Sequence, residues 1–145
     1  MITSIQYNNG KHLSIDMIRR LDRMSDEDRK QMGEKLKIDA SVFNTRISLT
    51  GGREKKARET IEEITAQVPL VDIGLDRWVI AQSIVETAPF TDADASKAKE
   101  NGSKFNHSFQ CAVDTVAGRV LSTETQEEIV RRRATALKQG GLRNG

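Results

Sequence analysis

Apolar residues fall into two rhythms along this chain, and each predicts a different element. Ile2 to Tyr7 alternates apolar with polar, Asn8-Asn9-Gly10 is turn chemistry, and the alternation resumes from Lys11 to Ile15. This predicts an N-terminal β-hairpin. Beyond it the spacing lengthens to three and four. Ile18 and Leu21 predict a helix over about residues 15–24, and Met32 and Leu36 a second one. Ser25 is placed to cap that second helix, with Asp26, Glu27 and Asp28 in its first turn, where carboxylates suit the macrodipole. Ala57, Ile61, Ile64 and Val68 form an apolar stripe over residues 53–68, and Trp78, Val79, Ile84 and Val85 give a core face to a helix over 75–87. Phe105, Phe109, Val113, Val116 and Val120 recur at the same spacing and predict a longer amphipathic helix. A last helix, capped by Ser122 or Thr123, carries Arg131-Arg132-Arg133. No internal repeat stands out.

Together these elements predict a mainly α fold with a small N-terminal β-hairpin. Residues 1–87 form the hairpin and a helical domain of DNA-binding type. Residues 88–103, polar and opened by Pro89, read as a linker. Residues 104–139 read as a helical oligomerisation segment and 140–145 as a disordered tail. Aromatics make up only 4% of the chain, so the core must be aliphatic, and small helical proteins that bury little per chain often complete their core by associating. The stripe from Phe105 through Phe109, Val113 and Val116 to Val120 has only one thinly apolar helix left to cover it. It predicts self-association as a dimer or higher oligomer.

Several classes drop out. No apolar run approaches the roughly 20 residues that span a bilayer, so no membrane partner is expected. The N-terminus lacks the charged and apolar blocks of a signal peptide. The single cysteine, Cys111, rules out an intrachain disulfide and fits a reducing, cytoplasmic setting. His12 and His107 are the only histidines and no metal-ligand spacing is visible, so neither metal nor other cofactor is expected. His107 and Cys111 would be neighbours on a helix, but no third group is placed to orient them, and Cys111 reads as a buried structural residue. No catalytic constellation emerges. The chain reads as a non-enzyme.

The most informative stretch runs from Asp39 to Gly52. As a helix it would bury Phe43 and Ile47 and expose Ser41, Asn44, Thr45 and Ser48. As a strand it would set Asn44, Arg46 and Ser48 on one face. Either way it offers short polar side chains and an arginine, the types that hydrogen-bond base edges. Downstream, Arg53, Lys55, Lys56 and Arg58 crowd the start of the next segment and are candidate phosphate contacts. Gly51-Gly52-Arg53 would also suit a phosphate-binding nest, although a helix stop followed by a loop is the simpler reading. Charge is uneven along the chain, with cations in excess in residues 1–60 and 101–145 and carboxylates in excess between them.

Two resemblances follow from these residues. Residues 29–47, with Gly33 as the small residue, Lys37-Ile38-Asp39 as the turn and Phe43 and Ile47 as the lock, resemble a helix-turn-helix. Lys37 departs from the pattern, which favours glycine there. Residues 44–87 resemble a ribbon-helix-helix, with Thr45-Arg46-Ile47-Ser48-Leu49 as the strand and Leu75-Asp76-Arg77-Trp78-Val79 opening its second helix. The connection through Pro69 is longer than that family uses. Both resemblances imply double-stranded DNA as the partner. The expected function is therefore non-enzymatic DNA binding, as a repressor-like, plasmid- or phage-maintenance or packaging factor. The alternative is an oligomeric helical module that sequesters a protein partner or small ligand.

Overall fold

A computed structural model describes residues 2–100 and 108–144. The alternating N-terminus folds as its pattern dictates. Strand β1 (Ser4–Tyr7) pairs antiparallel with β2 (Lys11–Ser14), Ser4 opposite Ser14 and Tyr7 opposite Lys11. Asn8, Asn9 and Gly10 turn with φ of 48, 61 and 98°, the left-handed region that asparagine and glycine enter at least cost. A short 3-10 turn leads to β3 (Ile18–Arg23). Helix α1 (Asp26–Leu36) follows, with Ser25 and Asp28 forming a reciprocal capping box and Lys37 ending it in the left-handed conformation. Then come β4 (Thr45–Leu49), β5 (Glu54–Ala57) and the five-residue helix α2 (Ile61–Thr65).

The chain then does the same thing again. Strands β6 (Leu70–Gly74) and β7 (Arg77–Ile80) make a hairpin, a 3-10 turn leads to β8 (Ile84–Pro89), and α3 (Asp92–Glu100) follows. Strands β9 (Cys111–Thr115) and β10 (Gly118–Ser122) precede α4 (Gln126–Asn144). Described elements of the first unit recur 66 positions on (Ile18 and Ile84, Thr45 and Cys111), or 65 after the β4–β5 turn, which is one residue longer than its counterpart (Thr60 and Thr125). Register agrees down to its irregularities. A bulge between Ile18 and Arg20 in the β3–β4 ladder recurs between Ile84 and Glu86 in the β8–β9 ladder.

Side-chain bonds recur as well. The Asn44 amide donates to the Arg58 carbonyl and the Gln110 amide to that of Thr123. Thr45 Oγ1 donates to the Glu59 carbonyl, and Cys111 Sγ to that of Glu124. Gln67 Nε2 seals the outer edge of β1 at Gln6, as Arg132 Nη1 seals that of β6 at Asp72. The chain is a tandem structural repeat.

The two units share one hairpin. A five-stranded sheet runs β5-β4-β3-β7-β6, so the second unit's hairpin extends the first unit's strands. Leu70 and Ile80 on one face of that hairpin join a core with Ile18, Leu21, Ile47 and Ile64, against which Trp78 packs half-buried. Val71, Ile73 and Val79 on its other face join a second core with Ile84, Val113, Val120 and Ile129. Strands β10-β9-β8 form a separate sheet, and β1-β2 stands alone.

The mainly α expectation is thereby overturned: among the described residues there are ten strands in three sheets and four helices. The helix expected over 15–24 is β3. Its i,i+3 apolar spacing comes from the bulge, which returns Leu21 to the face of Ile18. The helix-turn-helix reading of 29–47 fails because α1 is followed by a loop and then β4, with no second helix. The ribbon-helix-helix reading fails because β4 leads into β5 rather than a helix, and residues 75–87 are turn and strand.

The helical oligomerisation segment is likewise corrected. Val113 and Val120 face each other across the β9–β10 hairpin and are buried in their own chain's core, while Val116 sits exposed at its turn. Seven residues out and back around a hairpin had the spacing of two helical turns. Phe109 packs beside Phe90, with ring centroids 6.0 Å apart, and Phe105 lies outside the described residues. Residues 92–100, expected as linker, are α3, and α4 is capped by Thr125 and runs through the expected tail to Asn144.

The second hairpin's turn is less suited to its conformation than the first. Gly74, Leu75 and Asp76 take φ of 92, 59 and 56°. Leu75 is exposed there, so its side chain contributes little burial while its Cβ opposes the left-handed backbone. Leu75→Asn is expected to stabilise the chain by about 0.5–1 kcal/mol, read as a raised urea midpoint at unchanged slope.

Candidate nucleic-acid interface

The first unit's sheet has one face in the core and one facing out, and alternation assigns its residues. Thr45, Ile47 and Leu49 of β4 point inward. Arg46 and Ser48 point out. Register then lines up charges across four strands: Lys56 of β5 lies opposite Arg46 of β4, which lies opposite Asp22 of β3, which lies opposite Arg77 of β7. In the next row Glu54, Ser48 and Arg20 stand side by side. Neighbouring strands are about 4.8 Å apart, so the row spans roughly 14 Å of surface.

Four cations thus face two carboxylates. Arg20 holds Asp22 through two hydrogen bonds, 2.7 and 3.1 Å, and Lys56 bonds Glu54. Arg46 Nε lies 3.5 Å from Glu54, too poorly placed for a hydrogen bond. It is withdrawn from solvent and has no hydrogen-bond partner. The hydrogen bond from Lys56, and then the charges of Lys56, Arg46 and Arg20, hold the Glu54 carboxyl below its ordinary range despite partial burial. Arg77 is pushed down to about 10, first by burial and then by the positive charge of Arg20. Its guanidinium bonds the carbonyls of Gly74 and Leu121 and stacks 5.4 Å over the Phe109 ring. Burial, then Arg20, also lowers Arg19.

Beside this face lies the exposed edge of the sheet. Arg53, Lys55 and Arg58 of β5 and its flanks are all exposed, and among the described residues no strand pairs with that edge, although the Asn8 side chain donates to the Lys56 carbonyl and accepts from the Arg58 N–H. Edge strands rich in lysine resist pairing with other strands, so these cations have a structural use even without a ligand.

The sequence-derived candidates divide cleanly. Arg46 and Lys56 share the outward face at the β4–β5 end of the sheet, while Lys55, opposite the inward Ile47, projects to the other side of β5, and Arg53 and Arg58 flank that strand. The short polar residues do not join them. Thr45 is fully buried and bonded to Glu59, and Ser48 is buried between Arg20 and Glu54 on neighbouring strands. Asn44 is held by Arg29, Val42 and Arg58, and Ser41 is turned onto Asp39. Arg20 is not among the sequence-derived candidates, because the 15–24 segment reads as a helix with its arginines spread over the solvent side. The β3 assignment brings Arg20 beside Arg46.

Two arginines of the second unit are held by carboxylates. Arg119 binds Asp94 and Asp114, and Arg132 binds Glu124 and Glu128. The counterparts of Arg46 and Lys56 in the second unit are Ala112 and Leu121, so that unit lacks the charged row. A shallow cleft of about 580 Å³ between the first hairpin and α2 is lined by Glu59 and Glu63, which suits no anion. Burial raises the Cys111 thiol, and His107 lies outside the described residues. Among the described residues no group of three His, Cys, Asp or Glu side chains could hold a metal ion. Comparison with protein-family models, curated proteins and solved structures gives no match.

Proposed function

We propose that this protein binds nucleic acid without catalysis, that double-stranded DNA is its partner, and that the β3–β5 end of the first unit makes the contact. The observation that carries the reading is Arg46. Its Nε is withdrawn from solvent and without a hydrogen bond, 3.5 Å from Glu54, while the rest of the guanidinium, about a third exposed and beside Lys56, has donors to offer a phosphate or base edge. Arg53, Lys55 and Arg58 line the neighbouring edge of β5, beside the outward face, where phosphates of a duplex would lie. The counterpart face of the second unit carries Glu86, Asp114 and Arg119 and no excess of cations, which supports a specialised role for the first. Among the described residues no helix is long and apolar enough to cross a membrane. Association of copies with one another belongs to this reading, because one charged row per chain is a small footprint and linked rows bind with avidity.

Fluorescence anisotropy with a labelled duplex at low salt tests the proposal. Arg46→Ala is expected to weaken binding by about 1–3 kcal/mol if Arg46 meets a base, and to relax preference at one position. Ala112→Arg, the counterpart in the second unit, is not expected to replace it. Binding by Arg46→Ala equal to that of the unaltered chain removes the central residue of the proposed surface.

A further inference from the structure

The repeat leaves two strand edges that match each other. Inside the chain, β3 of the first unit takes β7 of the second, with Leu21 opposite Trp78 and Asp22 opposite Arg77. Arg23 N–H adds a bond of 2.9 Å to the Asp76 carbonyl. The counterpart of β3 is β8, and the counterpart of β7 is β2. Strand β8 is paired only with β9, and β2 only with β1. Among the described residues no hydrogen bond reaches the outer backbone edge of either strand. The far edges of β1 and β6, by contrast, are closed by Gln67 and Arg132. One donor-and-acceptor edge of each type is left open, at opposite ends of the repeat.

We propose that copies of this chain associate head to tail, β8 of one copy taking β2 of the next in the register of the β3–β7 junction. Thr87 then faces His12 and Ala88 faces Lys11. The occupant is a second copy because this chain carries both halves of a junction it already forms once internally. Charge agrees with this pairing. Glu86 on β8 becomes a diagonal, same-face neighbour of Lys11 on β2, within reach of long side chains. Val85, at 65% the most exposed of the large hydrophobic residues described, is also accounted for. Its counterpart Arg19 lies against Gly118 of the second unit, whose own counterpart is Arg53, so Val85 would lie against the aliphatic stem of Arg53 of the next copy.

The junction between copies is weaker than the one inside. Pro89 replaces Arg23 and cannot donate, which removes one ladder bond while leaving the β8–β9 pairing intact, because that position faces the open edge. Ser4, His12 and Ser14 replace Leu70, Trp78 and Ile80, so less apolar surface is buried. Assembly is therefore reversible and concentration-dependent. A head-to-tail contact of this kind is heterologous and yields a ring or an open filament. This inference rests on the repeat and is independent of the DNA reading.

Register-specific crosslinking tests it. Position 22 opposite 77 is a non-hydrogen-bonded pair, in which Cα atoms approach to about 4.5 Å, within disulfide range. In a Cys111→Thr background, which copies the threonine at counterpart position 45, the single variants Lys11→Cys and Ala88→Cys are mixed and oxidised. Covalent heterodimers are expected well above homodimers, and the double variant should give a ladder of multiples of the 16.2 kDa chain. Thr87→Pro should lower the assembled mass in light scattering. His12→Trp with Ser14→Ile, which copies the internal junction, should raise it. A chain that stays at the monomer mass at all concentrations, or heterodimers no more abundant than homodimers, overturns the proposal.

Discussion

Ile64→Ala and Ile129→Ala should each destabilise the protein by about 2–5 kcal/mol, and by closely similar amounts. Both side chains are fully buried, and both sit on the first turn of a helix opened by a Thr-x-x-Glu cap. They occupy counterpart positions in the two units but different cores. Truncating either one leaves a cavity in the apolar core of its own unit. Because the cores share only the β6–β7 hairpin, losses in the double variant should add to within about 0.5 kcal/mol. Urea unfolding of the three variants measures this. A loss below about 1 kcal/mol at one site, with the other severe, would mean that the units are not equivalent in packing.

Gly74→Ala is expected to cost about 2–4 kcal/mol, combining left-handed strain with overpacking. A Cβ at Gly74 would stand 1.9 Å from Thr123 Oγ1 and 3.3 Å from Thr123 Cβ. Rotating the threonine relieves only the first contact. Thr123 is not free to withdraw, since its N–H is bonded to the Ile73 carbonyl, which also accepts from Ser122 Oγ. Gly10 is the internal control. Its φ of 98° is as left-handed, but a Cβ there meets nothing within 4 Å. Gly10→Ala should therefore show the backbone strain alone, and the difference between the two melting shifts isolates the clash. Equal shifts would place Thr123 elsewhere in solution.

The first hairpin and the Ser25 cap were legible in the sequence because turn chemistry and capping are local. Asn-Asn-Gly and Ser-x-x-Asp specify their conformations without help from the rest of the chain. Strands β3, β9 and β10 were not legible, since a bulge and a tight hairpin both convert a two-residue period into apparent spacings of three, four and seven. Nor did the second turn announce itself. Leu75 and Asp76 adopt positive φ under tertiary constraint, and leucine carries no signal for it.

The repeat left one strong trace. Glu59-Thr60-Ile61-Glu62-Glu63-Ile64 and Glu124-Thr125-Gln126-Glu127-Glu128-Ile129 differ only at Ile61 and Gln126. Elsewhere the units have diverged in identity while keeping register, as Thr45 and Cys111 show by making the same bond with different donors. The cations at the candidate surface were visible individually. Their convergence was not, because it depends on the cross-strand register of Lys56, Arg46 and Asp22.

Salt dependence of duplex binding tests the central claim most directly. Log affinity against log salt for the unaltered chain should fall linearly. Neutralising Lys55, Lys56 and Arg58 together should reduce the slope by roughly 0.9 for each phosphate that no longer meets a cation. Circular dichroism on the same samples would show the fold retained, as edge-strand cations contribute little to stability. A slope unchanged by the triple substitution, or a duplex affinity that does not respond to salt at all, would contradict the account.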